Sequence, residues 1–128
     1  MINLTEDEIS KIVVHTAFQI HNKLGPGLLE SVYEEILFHE LKSQGLITQR
    51  QVKIPVVWKE VVMPIGFRAD LIINNKVIIE IKSVEQIIAV HPKQLLTYLK
   101  LTDLKLGILI NFNERLIKDG IIRVANKL

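Results

Sequence analysis

Phe67-Arg68-Ala69-Asp70-Leu71-Ile72-Ile73-Asn74-Asn75-Lys76-Val77-Ile78-Ile79-Glu80-Ile81-Lys82-Ser83 holds two apolar runs on either side of an Asn-Asn pair. Asparagine tolerates positive φ, so Asn74-Asn75 reads as the turn of a hairpin. Leu71-Ile72-Ile73 and Val77-Ile78-Ile79 are apolar at every position, the composition of strands covered on both faces. The second run continues into Glu80-Ile81-Lys82. Side chains alternate along a strand, so Glu80 and Lys82 share a face. Asp70 stands at the mouth of the first strand. Charges in such strands need partners or a metal, because desolvating one costs on the order of several kcal/mol. Two readings fit. One is an internal ion pair, Glu80 with Lys82 or Asp70 with Arg68. The other is a pair of carboxylates holding a divalent cation, with a lysine beside the water it activates. Were Asn74-Asn75 a two-residue loop, Asp70 would face Ile79 and point away from Glu80. A shared ion therefore requires a three-residue loop, a bulge, or Asp70 twisted past the strand end.

The length of 128 residues suits one domain with one core, expected to span residues 1–128. Aromatic residues are only 5% of the chain, so Ile, Leu and Val must build that core. A net charge of +2 permits a polyanionic partner without demanding one. The absence of cysteine excludes disulfides, thiolate zinc sites and cysteine nucleophiles. Met1-Ile2-Asn3-Leu4-Thr5-Glu6-Asp7-Glu8 is acidic and does not read as a signal peptide, and no apolar run approaches a membrane span. A cytoplasmic location with no membrane partner is expected.

Thr5 and Glu8 form a capping box that opens a helix over about residues 6–23, with Ile9, Ile12, Val13, Ala17 and Ile20 at helical spacing. Lys11, His15 and Gln19 fall on its other face, and His15 and His21 read as surface residues. Leu24-Gly25-Pro26-Gly27 turns the chain. A second helix then starts near Leu28 or Leu29, with Val32, Tyr33, Ile36, Leu37 and Leu41 as its stripe and Gly45 as its cap. Glu30 lies in its first turn, where the helix dipole favours a carboxylate. Gln51 to Val56 alternates and contains Pro55, which suggests an edge strand or a bulge. A turn at Lys59-Glu60 leads into a strand that starts near Val61, kinks at Pro64 and Gly66, and delivers Asp70. With the return through Lys82 this makes a three-strand antiparallel meander. A third helix is expected from His91, with Pro92 at its first position. Gln94 and Tyr98 are four apart and share a face of it. Lys105 to Asn111 reads as a central strand and Gly120 to Val124 as a final one. The order predicts an α/β fold, a mixed central sheet flanked by helices.

Helix, three antiparallel strands, helix, strand is the layout of the PD-(D/E)xK phosphodiesterase superfamily, which this sequence resembles. It resembles the GxxExxY family within it more closely, through Gly27-Leu28-Leu29-Glu30-Ser31-Val32-Tyr33, Arg68-Ala69-Asp70-Leu71, Glu80-Ile81-Lys82 and His91-Pro92-Lys93-Gln94-Leu95-Leu96-Thr97-Tyr98. Ala69 stands where the superfamily name has proline. The resemblance implies a restriction-endonuclease-like core. It implies Asp70 and Glu80 as metal-binding carboxylates, Glu30 as a helix-borne acid near them, and Lys82 beside the attacking water. Gln94 and Tyr98 look like the Q-x-x-x-Y pair of exonuclease-like branches. The ion would be Mg²⁺ or Mn²⁺. Such ions prefer oxygen and keep several waters, so two carboxylates and a backbone carbonyl, that of Ile81, suffice.

The expected activity is metal-dependent hydrolysis of nucleic acid, DNA or RNA, with DNA favoured over RNA. The alternative is a nuclease-fold module that binds nucleic acid, a second copy of itself or another protein, with weak or no catalysis. A metal-free small-molecule enzyme is poorly supported, because Gly25-Pro26-Gly27 lacks the Lys-Ser/Thr of a phosphate-binding loop.

Overall fold

The computed structural model describes residues 3–128; Met1 and Ile2, the start of the acidic N-terminal stretch, lie outside the described residues. Helix α1 (Glu6–Leu24) begins at the expected capping box. Thr5 Oγ1 accepts from the Glu8 N–H at 3.2 Å, and Glu8 Oε1 accepts from the Thr5 N–H at 2.9 Å. The helix stops at Gly25, whose φ of 74° a side chain would resist. Helix α2 (Glu30–Ser43) buries Tyr33, Leu37 and Leu41. Val32, assigned to that stripe from sequence, is instead exposed, because the stripe runs one position round the helix through Tyr33.

The strands are β1 (Thr48–Ile54), β2 (Val57–Trp58), β3 (Val61–Val62), β4 (Phe67–Ile73) and β5 (Val77–Lys82), and, after helix α3 (Val90–Thr102), β6 (Leu106–Asn111) and β7 (Ile121–Ala125). Five of them form one sheet in the order β1-β4-β5-β6-β7. Only the β5–β6 pair is parallel. A parallel neighbour needs a crossover, and α3 supplies it. The sheet is therefore mixed and flanked by helices, as expected. Leu71, Ile73, Val77, Ile79 and Ile81 face α1 and α2. Ile72, Ile78 and Leu109 face Leu95, Tyr98 and Leu99 of α3. Burial on both sides explains why these strands carry apolar residues at every position. Gly107 lets α3 approach: a Cβ there would lie 2.7 Å from Leu95 Cγ.

The hairpin loop contains three residues, since Ile73 pairs with Val77. The meander is interrupted, however. Val61 and Val62 do not lead into β4 but pair with Val57 and Trp58 in a separate two-stranded ribbon. Between the ribbon and β4 the chain passes so close to Ile54 that a Cβ on Gly66 would lie 2.7 Å from its carbonyl oxygen. Two further expectations are corrected. Pro92 is the third residue of α3, still in the first turn where a missing N–H costs nothing. His21 is buried, its Nε2–H donating to the Glu114 carbonyl at 2.7 Å. A short 3-10 helix (Ile117–Gly120) precedes β7.

The exit of β5 is clamped by a side chain. Buried Asn111 accepts from the Val84 N–H at 3.1 Å and donates to the Val84 carbonyl at 2.9 Å. The Phe112 N–H donates to the Lys82 carbonyl at 2.9 Å. No helix among the described residues is long and apolar enough to cross a membrane.

Candidate active site

The β4–β5 ladder is regular up to Leu71 and Ile79, and one further step places Asp70 across from Glu80. There the side chains take over from the backbone. Glu80 Oε2 accepts from the Asp70 N–H at 2.8 Å, and Asp70 Oδ2 accepts from the Ile81 N–H at 2.8 Å. The three-residue loop thus brings the two carboxylates together, which a two-residue loop would have prevented.

A break in the neighbouring strand contributes. Residues two apart on a strand should share a face. Yet Leu71 packs with the α1 and α2 side and Ala69 with the α3 side. On β1, Arg50 reaches α2 while Val52 packs with the α3 side. Both strands switch face at Gln51 and Asp70, between the register pairs Arg50–Leu71 and Val52–Ala69. Gln51 has φ of 52°, a left-handed conformation that costs a non-glycine residue about 1–2 kcal/mol. Backbone strain of this kind clusters at functional sites. Here it aims the Gln51 amide at Glu34 (2.8 and 3.0 Å) and at Asp70 (3.4 Å).

Glu34 was not singled out from the sequence. It is buried on α2, and Arg50 Nε donates to it at 2.7 Å. Arg50 also bridges to Glu35. The available signal was its spacing: Glu34 lies four residues after Glu30, one helical turn along the same face. Its partners on β1 carried no such signal.

Burial and like charge act on the acids together. Burial raises the Asp70 pKa to about 6, helped by Glu34 and Glu30 and opposed by the hydrogen bond from Ile81. Burial raises Glu80 to about 8, helped by the Asp70 charge and opposed by the bond from the Asp70 N–H and by Lys82. Among the described residues the ion pairs within 4.0 Å join Arg50 to Glu34 and Glu35, and Arg123 to Asp7. Neither the Glu80–Lys82 nor the Asp70–Arg68 pair forms.

The remaining candidates sit at different distances from this centre. Glu30 is exposed at the start of α2, near enough for its charge to act on Asp70. Tyr98 is buried, its pKa raised by burial and by the charges of Glu80 and Asp70. Its ring lies 5.1 Å from that of Phe67. Gln94 is exposed one turn earlier on α3. Tyr33, the last residue of the Gly27-to-Tyr33 motif, is structural. Its hydroxyl donates to the Gly25 carbonyl and accepts from the Leu28 N–H at 3.1 Å. Its ring stacks on Phe112 with centroids 4.4 Å apart. Ser83 Oγ donates to the Leu28 carbonyl at 2.9 Å, tying this loop to the residue after Lys82.

Two carboxylates with raised pKa values and, among the described residues, no ion-pair partner within 4.0 Å fit a hard divalent ion. Among the described residues no three His, Asp or Glu are grouped closely enough to share an ion. Two acids alone would need a carbonyl and water to complete the shell of such an ion. Ile81 is suitably turned, since its N–H points at Asp70 and a residue's N–H and C=O point toward the same neighbouring strand.

No curated protein and no solved structure gives a match. A family model described as the PD-(D/E)XK nuclease superfamily matches residues 7–124, and nucleases of this superfamily generally use divalent metals. The match runs from the first turn of α1 into β7 and takes in every candidate residue, so the chain belongs to the PD-(D/E)XK nuclease superfamily.

Proposed function

We propose that the chain, acting as a single domain of the GxxExxY branch, hydrolyses phosphodiester bonds of nucleic acid, DNA more readily than RNA, with Mg²⁺ or Mn²⁺. The observation that carries this reading is the pairing of half-buried Asp70 with buried Glu80, mutually repelling and joined to no ion pair among the described residues, with Lys82 two residues along the same strand as Glu80. Asp70, Glu80 and the Ile81 carbonyl would hold the ion, with Glu30 contributing charge from the rim. A divalent ion held there lowers the pKa of water and offsets charge on the phosphate.

The other roles belong to the chain itself. Lys82, with three donors on a flexible stem, orients the attacking water and stabilises charge developing on the phosphate. Glu34, fixed by Arg50 and Gln51, positions Asp70. Tyr98 offers a hydroxyl beside the acids, and Gln94 meets substrate at the outer edge.

The test is a panel of labelled single- and double-stranded DNA and RNA incubated with Mg²⁺, Mn²⁺ or EDTA. Asp70→Asn and Lys82→Ala are each expected to lower cleavage by about a hundredfold or more while the circular dichroism spectrum stays unchanged. Undiminished cleavage in either variant refutes the role given to that residue. The two-acid donor set favours a second reading, a nucleic-acid-binding module of weak activity. Calorimetry showing no Mg²⁺ uptake, together with retained nucleic-acid binding, selects it.

A further inference from the structure

The β2–β3 ribbon is the least explained part of the fold. Val57, Trp58, Val61, Val62 and Ile65 are each between 52% and 79% exposed. Both faces of the ribbon are uncovered, which no core-packing role requires. An isolated two-stranded ribbon is at best marginally stable in water, so it gains when something seats against it. Exposed apolar clusters of this kind mark interaction surfaces.

A groove of about 500 Å³ adjoins the end of the ribbon, where Met63 follows β3, and is lined also by Lys53, Phe67 and Arg68. One aromatic pair links the groove to the candidate site. Phe67 lines the groove and packs against Tyr98, which lies beside Glu80 and Asp70.

Charge indicates what fits. Residues 53–68 hold three cations, Lys53, Lys59 and Arg68, and one carboxylate, Glu60. The chain has 16 cations and 14 carboxylates, so thirteen of each remain elsewhere and the whole net charge of +2 resides in this segment. An aromatic platform rimmed by cations suits the bases and phosphates of one strand. Lys59 Nζ lies 5.8 Å from the centre of the Trp58 ring, on one of its faces. A duplex hides its base faces in its own stack, whereas an unpaired strand presents them.

We propose that the β2–β3 ribbon and its groove grip an unpaired nucleic-acid strand. A base stacks on Trp58, Lys53, Lys59 and Arg68 hold the phosphates, and the strand passes over Phe67 and Tyr98 toward the acids. The substrate would thus be single-stranded or frayed nucleic acid. This deepens the nuclease reading and rests on it for the destination of the strand.

Trp58 is the only tryptophan in the chain, so its fluorescence reports on the ribbon alone. The experiment titrates the wild-type chain in EDTA with oligothymidylate and with a duplex of equal length, following tryptophan emission and probe anisotropy. The single strand should quench Trp58 and bind about tenfold or more tighter than the duplex. Three phosphate contacts predict a log–log salt slope of about −2, with Lys53→Ala or Arg68→Ala each reducing it by about 0.7. Trp58→Ala should weaken single-strand binding about tenfold.

Binding that leaves Trp58 unquenched overturns the proposal, as does equal affinity for the duplex. A concentration-dependent blue shift without nucleic acid overturns it in favour of a second copy covering the ribbon. Metal-dependent cleavage with unquenched Trp58 removes the ribbon proposal and leaves the nuclease reading intact. Quenching with no cleavage under any metal does the reverse.

Discussion

The β2–β3 and β4–β5 hairpins both reverse through two consecutive residues of positive φ, Lys59-Glu60 at 48° and 69° and Asn74-Asn75 at 52° and 53°. Both carry flanking residues that favour strands. In β4–β5 those residues are buried on two sides; in β2–β3 they are bare. The difference lies in what surrounds each hairpin. Helices on both faces of β4–β5 make its apolar residues the source of stability and make its two carboxylates costly. Without such cover, the same residue types in β2–β3 become a surface.

The largest test of this contrast is a pair of truncations. Ile79 is fully buried and Val62 is 64% exposed. Ile79→Ala should cost about 2–5 kcal/mol in urea unfolding. Val62→Ala should change it by less than about 0.5 kcal/mol. Equal losses would mean that the ribbon is part of the core.

A smaller effect separates the hairpins by pH. Asp70 and Glu80 hold protons more tightly when folded than their ordinary values of 3.8 and 4.5 would give. The stability this confers is complete below those ordinary values and is lost as pH rises through about 6 and about 8. The metal-free chain should therefore lose stability steadily between pH 5 and 9. Mg²⁺ should restore more of it at pH 8 than at pH 5. Glu80→Gln should flatten the profile, and Glu60→Gln in the ribbon should leave it alone. Melting curves across pH, with and without Mg²⁺, read all of this; a profile that stays flat for the wild type would contradict the burial of the acids.

The smallest effects concern the turns. Asn75→Gly relieves a left-handed residue and should raise global stability by a few tenths to about 1 kcal/mol. Glu60→Gly relieves a similar strain, but the ribbon can open without unfolding the core, so the global midpoint should not move. Urea midpoints for the two variants, side by side, check whether the ribbon unfolds separately.

The central strands and their flanking helices were legible because two-sided burial leaves an unbroken apolar run, as in Leu71-Ile72-Ile73. The length of the hairpin loop was legible only as a condition. Asn74-Asn75 alone suggests a two-residue turn; the third loop residue, Lys76, is held by distant groups. Its Nζ donates to the Leu4 carbonyl at 2.6 Å and to Asn3 Oδ1 at 2.8 Å. Asn74 in turn exchanges hydrogen bonds with the Ile47 backbone. Glu34 was overlooked for the same reason, since Arg50 and Gln51 reach it from another element. His21 gave no hint of a carbonyl 93 residues away. The ribbon was misread because Val61 and Val62 look like the start of β4, and only the close approach at Gly66 separates them. Sequence pattern records which faces are covered; it does not record which distant backbone group holds a loop open.

The clamp at the end of β5 sets a boundary in time as well as in space. Asn111 gives Val84 the donor and acceptor that a neighbouring strand would give, so protection from solvent extends past the strand that carries Lys82. In hydrogen exchange the Val84 amide should trade its proton as slowly as those of β5. Glu85 and Gln86, with exposed side chains beyond the clamp, should trade quickly. One asparagine amide thus separates the backbone that carries Lys82 from the loop that leads to α3, and motion in that loop need not reach it.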